Sequence, residues 1–231
     1  MINKLKLNKV YNFLYYLFIR PRIYFPKKSY SLLNEDLFIN KFFEKKNNGI
    51  YIDVGAYHPL EGSNTHLLFK RGWSGLNIDV SPLSIELFKM LRPKDININR
   101  AVSKKKGILK LYFKKKINML NTLKKSEAII NFPNGFQEKN IKADTLNSII
   151  KSTKYKRKKI DFLNIDIEGN ELEAIKSLNF KFFKPKLICI EIHNRKNSKK
   201  SKLKNSEIYK FLIKQKYKLL WKNKFSYIFG A

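Results

Sequence analysis

Residues 52–65, IDVGAYHPLEGSNT, decide how this chain folds. The run GIYIDVG that leads into them is apolar and β-branched and ends on an acidic residue and one tight glycine, which predicts a strand closing at Asp53 and Gly55. The turn after that strand is not a dinucleotide-binding turn. A pyrophosphate lies against the backbone only where glycine occupies the second and third fingerprint positions, and here those places hold Tyr57 or His58 and Leu60. The stretch therefore predicts a ligand without a diphosphate and speaks against NAD.

The same alternation continues along the chain. SNTHLLFKRG (63–72) reads as a helix with Ser63 or Asn64 as N-cap and Gly72 as its stop. SGLNIDV (74–80) is a second strand, followed by a helix that starts at Pro82 and halts at Arg92-Pro93. ININRAVS (96–103) is a third strand, ILKLYF (108–113) an extra one, and residues 114–140 read as irregular. DTLNSII is a short helix capped by Asp144 or Thr145. IDFLNIDI (160–167) is the clearest strand, and the helix NELEAIKSL comes after Gly169. KLICIEIH (186–193) carries a continuous apolar run, Leu187 to Ile190, as in a strand buried on both faces. EIYKFLIKQKY reads as a helix, and KLLWKN with FSYIFG as a closing antiparallel hairpin. Strands alternating with helices predict an α/β fold with a mostly parallel sheet covered on both sides. With no repeat and no Pro-, Gly- or Ser-rich linker, the simplest organisation is one domain over residues 46–231 behind a basic extension, residues 1–45.

In such sheets ligands bind beyond the carboxyl ends of the strands, where the strand order reverses. The polar residues cluster at those ends: Asp53, Gly55 and Ala56; Asp79; residues 99–102, with Asn99 and Ala101; Asp166 and Glu168; and Glu191 to His193. Asp79 lies 26 positions after Asp53, close to the spacing at which a carboxylate accepts from ribose hydroxyls. S-adenosylmethionine resolves the mismatch with NAD. Its ribose suits Asp79, its adenine the groups around Asn99 and Ala101, its ammonium Asp53, directly or through water, and its carboxylate the helix start at Asn64-Thr65.

Four blocks then carry a family resemblance: YIDVGAYHPLEGSNTHLLFKRGWSGLNIDVSP, RPKDININRAVS, KIDFLNIDIEGNELEAIKSLNF and PKLICIEIHN. Together and in this order they resemble the FkbM-type methyltransferase domain over roughly residues 50–195. The resemblance implies a Rossmann-like class I methyltransferase fold with a seven-stranded sheet, S-adenosylmethionine as donor, and O-methylation of a hydroxyl on a sugar or natural-product scaffold. It also implies cofactor contacts at Asp53, Gly55, Asn64 and Asp79, and an acidic site at residues 166–169.

Methyl transfer to an alcohol needs a group to take the hydroxyl proton. Asp166 and His193 are the candidates for it, with Glu168 a ligand of the acceptor or a support for the groups that touch it; Asp166 is also placed against the cofactor. Asp166 and Glu168 are two carboxylates that could instead hold a divalent cation, but without further ligands no metal is expected. Structural hydrogen bonding around the Gly169 turn would account for the pair equally well, and His58 reads best as bonded within its own loop.

Composition bounds the partners. The chain has 231 residues, 43% of them hydrophobic, enough for a full core. Lys and Arg number 49 against 18 Asp and Glu, a net charge of +31, which attracts any polyanion. Lysine-rich coding bias is the plain alternative. Residues 10–19, VYNFLYYLFI, are too few to span a bilayer and lack a cleavage site for secretion. Flanked by Lys4, Lys6, Lys9, Arg20 and Arg22, they suit either an interfacial helix on an anionic membrane or a helix packed on the domain. The single Cys189 excludes an internal disulfide and a four-cysteine metal site, which fits a cytoplasmic protein, peripheral at the membrane if the basic segment binds there. The acceptor expected is a glycan or glycolipid. A nucleic-acid-binding protein or nucleic-acid methyltransferase is the rival, but no nucleic-acid motif is present, and DIEG stands where an Asn/Asp-Pro-Pro-Tyr-type loop would be.

Overall fold

Strand β1, Ile50–Val54, is the axis of the fold in the computed structural model, which describes residues 10, 11, 13–16, 27–115, 117–192 and 203–231. Its apolar residues are buried because helices cover both faces of the sheet. On one side β1 pairs in parallel with β2, Ser74–Asp79, which pairs with β3, Ile96–Asn99. On the other it pairs in parallel with β7, Phe162–Ile165, which pairs with β8, Leu187–Glu191. The hairpin β9, Lys218–Lys222, and β10, Ser226–Gly230, closes the sheet, with β10 antiparallel to β8. The order is β3-β2-β1-β7-β8-β10-β9, and only β10 runs against the rest. Strand order reverses between β1 and β7, so the expected ligand position falls beside Gly55 and Asp166.

Beyond residue 27, seven α-helices complete the described chain: α1, Glu35–Phe42; α2, His66–Lys70; α3, Pro82–Leu91; α4, Lys125–Asn131; α5, Leu146–Lys151; α6, Glu171–Lys176; and α7, Glu207–Lys214. Helix α3 starts where Ser81 accepts from the Ser84 N–H and proline takes the first turn. Thr145, rather than Asp144, caps α5. The N-cap of α2 falls at Thr65, one or two residues later than the capping pattern suggested, because the side chains of Ser63 and Asn64 bond to Arg92 and Asn164 instead.

The third strand does not continue to residue 103. The Arg100 N–H and the Asn99 side chain both bond the Asp79 carbonyl, and the chain leaves the sheet there. Ala101–Val102, β4, joins a second sheet of order β4-β6-β5, with β5 at Gly107–Phe113 and β6 at Gln137–Asp144. The stretch expected to be irregular therefore contains α4 and the start of β6. Nor does residue 45 mark a break in packing. Ile39 of α1 and Phe43 are buried with Tyr51, Leu68, Trp73 and Phe162, and Glu35 accepts from Asn223 and Ser226 of the closing hairpin. Asp36 gathers Ser29, Ser31 and the Tyr30 N–H, which anchors the chain entering α1. Of the N-terminal apolar stretch, residues 10, 11 and 13–16 are described and are helical. His193 and most of the lysine-rich loop after it lie outside the described residues.

Candidate active site

A cleft opens at the carboxyl ends of β1, β2 and β7. Gly55, Asp79 and Asp166 line it, with Ile78, Val102 and Leu111 among the apolar walls. Gly55 has a φ of +80°, where a side chain is strained, and the Asp166 carbonyl occupies the space that its Cβ would need.

The amides of the turn account for the absence of a phosphate cradle. The Gly55 and Ala56 N–H groups both donate to the Ile78 carbonyl, at 2.9 and 3.2 Å. Tyr57, itself at a φ of +55°, donates its N–H to Asp79 Oδ2 at 2.8 Å. His58 Nδ1 accepts from the Leu60 and Glu61 N–H groups, so its Nε2 carries the proton and donates to the Tyr16 carbonyl at 2.8 Å. The N–H groups of residues 55, 56, 57, 60 and 61 are thus all bonded within the protein and need no anion to complete them. His58 holds the turn, and Tyr57 lines the cleft.

Asp79 is the polar anchor of the cleft wall. Its Oδ2 takes the Tyr57 N–H and its Oδ1 the Ser81 N–H at 2.7 Å, which leaves further lone pairs on both oxygens. Burial raises its pKa to about 6, against the pull of those two N–H donors. Lys139 is the nearby cation, its own pKa lowered by burial.

Asp53 and Asn64 lie elsewhere. Asp53 accepts from Thr65 Oγ1 at 2.7 Å and from Asn164 Nδ2 at 2.9 Å, and Asn64 donates to Asn164 Oδ1 at 2.9 Å. All of these side chains are buried, and neither Asp53 nor Asn64 is on the cleft wall. Expected to meet a donor's amino-acid tail, for Asp53 directly or through water, both side chains are bound up in a network beneath the turn. Ala56 is buried behind the wall, and Asn99 is spent on the Asp79 carbonyl; Ala101 does line the cleft.

The centre of that network is Arg92, which the sequence marks only as a helix stop and which is fully buried. It donates to Thr65 Oγ1 at 2.8 Å, to Ser63 Oγ at 3.0 Å, to the Pro59 carbonyl, and to Tyr51 Oη at 3.1 Å. Tyr51 in turn donates to Asp95, which also accepts from the Gly75 N–H and Asn77. One guanidinium thus ties the whole 59–65 loop to strands β1 and β2. No periodicity or spacing distinguishes such an arginine from a surface one.

On the other side of Asp166 lies a larger cleft, lined by Asp166, Glu168, Glu191, Leu32, Leu120 and Lys224 among others. Carboxylate oxygens of Asp166, Glu168 and Glu191 lie within 4.8 Å of one another. Burial and then the charges of Glu191 and Glu168 push Asp166 well above the ordinary carboxylate range. Capping of the turn falls to Glu171, which accepts from the Ile167 and Gly169 N–H groups, so Asp166 and Glu168 are not its capping residues. Glu168 sits at a φ of +54°, its carbonyl held by Thr122 Oγ1 at 2.7 Å.

The structure therefore brings Gly55, Asp79, Ala101, Asp166 and Glu168 together around two adjoining clefts and adds Glu191, which the sequence marks only as a strand end. No curated protein matches the chain. The family model of the methyltransferase FkbM domain matches residues 53–219, which takes in the end of β1, all of β2 to β8, and each of Gly55, Asp79, Asp166, Glu168 and Glu191. With the seven-stranded sheet and its closing hairpin, this match settles the identity at the level of family: the chain belongs to the FkbM methyltransferases.

Proposed function

We propose that the protein is an S-adenosylmethionine-dependent O-methyltransferase acting on a hydroxyl of a sugar, glycan or glycolipid. The observation that carries this reading is that Asp79 and Asp166 stand on one cleft wall to either side of Gly55, while the first amides of the turn are already bonded within the protein. The residues fit such a donor. Asp79 retains acceptor capacity for ribose hydroxyls, and Ile78, Val102 and Leu111 offer apolar walls to a flat base. A diphosphate would find the amides of residues 55–57 already taken.

Bound there, the donor supplies a methyl group on a sulfonium that departs as a neutral thioether. The protein's part is to hold an acceptor oxygen in line with that methyl and to receive its proton. As the oxygen lone pair forms the new C–O bond, the hydroxyl proton passes to Asp166, whose affinity for a proton is raised by burial and by the neighbouring Glu191 and Glu168. Glu168 and Glu191, within reach of the same point, would orient neighbouring hydroxyls of a polyol. Positioning of this kind supplies much of the acceleration. His193, the other expected base, falls outside the described residues.

A second reading of the acidic cluster is that it holds a divalent cation that orients two vicinal hydroxyls. The third carboxylate, Glu191, favours it. Turnover that survives EDTA unchanged excludes the cation; turnover lost to EDTA and restored by magnesium supports it.

The test of the main reading is calorimetry with S-adenosylhomocysteine beside methyl transfer from labelled S-adenosylmethionine into extracted glycans and lipids. Binding and incorporation are expected. Well-folded protein that gives no heat with the nucleoside would refute the donor assignment.

A further inference from the structure

Helix α4 is apolar on the wrong side for a helix of a freely dissolved domain. Its inner residues are accounted for: Ala128 is buried with Tyr112 and Phe132, and Asn131 donates to the Leu120 carbonyl at 3.3 Å. A Cβ on Gly169 would fall 2.9 Å from Glu127 Cγ, so Glu127 lies against the acidic turn. The outward face then carries two adjacent isoleucines, Ile129 and Ile130, 58% and 62% exposed, shortly after the exposed Lys124 and Lys125.

The patch does not stop at the helix. Leu120, to which Asn131 is bonded, is exposed on the rim of the acceptor cleft, and so are Leu32 and Phe225. Leu120 also shares a hollow with Tyr15 and Tyr16 of the N-terminal helical stretch, where Tyr11 and Leu14 are exposed. Aliphatic and aromatic side chains thus line both the cleft that holds Asp166 and the hollow beside it, with Lys224 in the first and Lys115 in the second.

We propose that this rim is a membrane-docking face: Ile129, Ile130, Leu120 and Leu32 enter the boundary of an anionic bilayer while the neighbouring lysines meet its headgroups. The acceptor hydroxyl would then be presented on a lipid-borne molecule. The acceptor half of this proposal rests on the proposed methyltransferase reading; the docking face itself does not.

Charge selects the occupant. A protein of net charge +31 repels a second copy of itself and is drawn to polyanions. Nucleic acid would use the lysines but gains nothing from exposed isoleucine and leucine, whereas a bilayer uses both. No helix among the described residues is long and apolar enough to cross a membrane, so the contact is interfacial.

The test is co-sedimentation of the full chain with phosphatidylcholine vesicles, with and without about 30 mol% phosphatidylglycerol, at roughly 0.1 M salt. Binding to the anionic vesicles is expected, with partitioning falling about ten-fold or more in the double variant Ile129→Glu/Ile130→Glu and less in Ile129→Ser/Ile130→Ser. Both positions are exposed, and unchanged thermal melting of the variants verifies that they fold. Equal binding to neutral vesicles, or partitioning indifferent to both variants, overturns the proposal. So does a DNA duplex that displaces the protein from vesicles and binds both variants as tightly as the parent. Failure of the parent to bind S-adenosylhomocysteine would instead count against the methyltransferase reading, leaving the vesicle result to judge the surface. Label recovered only in water-soluble acceptors overturns the lipid-borne acceptor.

Discussion

A methyl group placed on Gly55 would sit 1.7 Å from the carbonyl oxygen of Asp166. Both partners are backbone, so neither can swing aside, and the φ of +80° adds strain of its own. The contact holds the carboxyl end of β1 against that of β7 at the point where the two clefts meet. Gly55→Ala should therefore cost about 3 kcal/mol or more, read as a fall in thermal midpoint or urea midpoint. A variant as stable as the parent would show that the two strand ends are free to part.

Asp79 predicts two opposite dependences on pH. Burial raises its pKa from 3.8 to about 6, so between those values the folded chain keeps a proton that the unfolded chain releases. Its contribution to stability is thus complete below pH 3.8 and is lost as pH rises through about 6. Ribose hydroxyls donate best to the ionised carboxylate, so affinity for S-adenosylhomocysteine should weaken as pH falls through about 6. Calorimetry across this range checks the sign. Asp79→Asn should bind more weakly and lose the pH dependence, and Asp79→Ala should lose about ten-fold or more in affinity.

Asp166→Asn preserves shape while removing the proposed proton acceptor. Turnover should fall by about 10²- to 10⁴-fold with donor affinity retained. Full activity in this variant would remove Asp166 from the chemistry and turn attention to Glu168 and Glu191.

Arg92 offers a test of the loop that holds the turn. Arg92→Leu strands the Pro59 carbonyl, Ser63, Thr65 and the Tyr51–Asp95 pair at once. Removing one member of such a buried charged network costs about 3–5 kcal/mol, measurable by urea unfolding. Arg92→Lys should recover only part, because one ammonium cannot reach acceptors on both β1 and the 59–65 loop.

Much of the fold was legible because its core strands are short apolar runs that end on polar residues. β1, β2, β7 and β8 announce themselves this way, and Pro82 and Gly72 mark the helix ends. The second sheet was not legible. β6 reads QEKNIKAD, with only Ile141 and Ala143 buried, and it is held by pairing with β5 rather than by any periodicity of its own. Residues 96–103 looked like one strand because nothing local reveals that Asn99 and Arg100 both turn to the Asp79 carbonyl.

The site shows the same division. Asp79 and Asp166 were readable from their strand ends. The inward role of Asp53 was not, since its partners Thr65 and Asn164 are 12 and 111 residues away. Spacing places a carboxylate at the end of a strand; it does not say which way the neighbours will claim it.

The second sheet also bears on how the two halves of the site could be varied. Ala101 pairs with Ala143 and Val102 with Asp144, so the chain leaves and re-enters the main body at adjoining points. Everything between them, including Leu111, Met119, Thr122 and α4, leaves the main sheet as one continuous stretch and folds back over its carboxyl end. Exchanging that stretch would therefore reshape both clefts at once, because Leu111 and Thr122 line the first, Leu120 and Asn131 the second, and Met119 both.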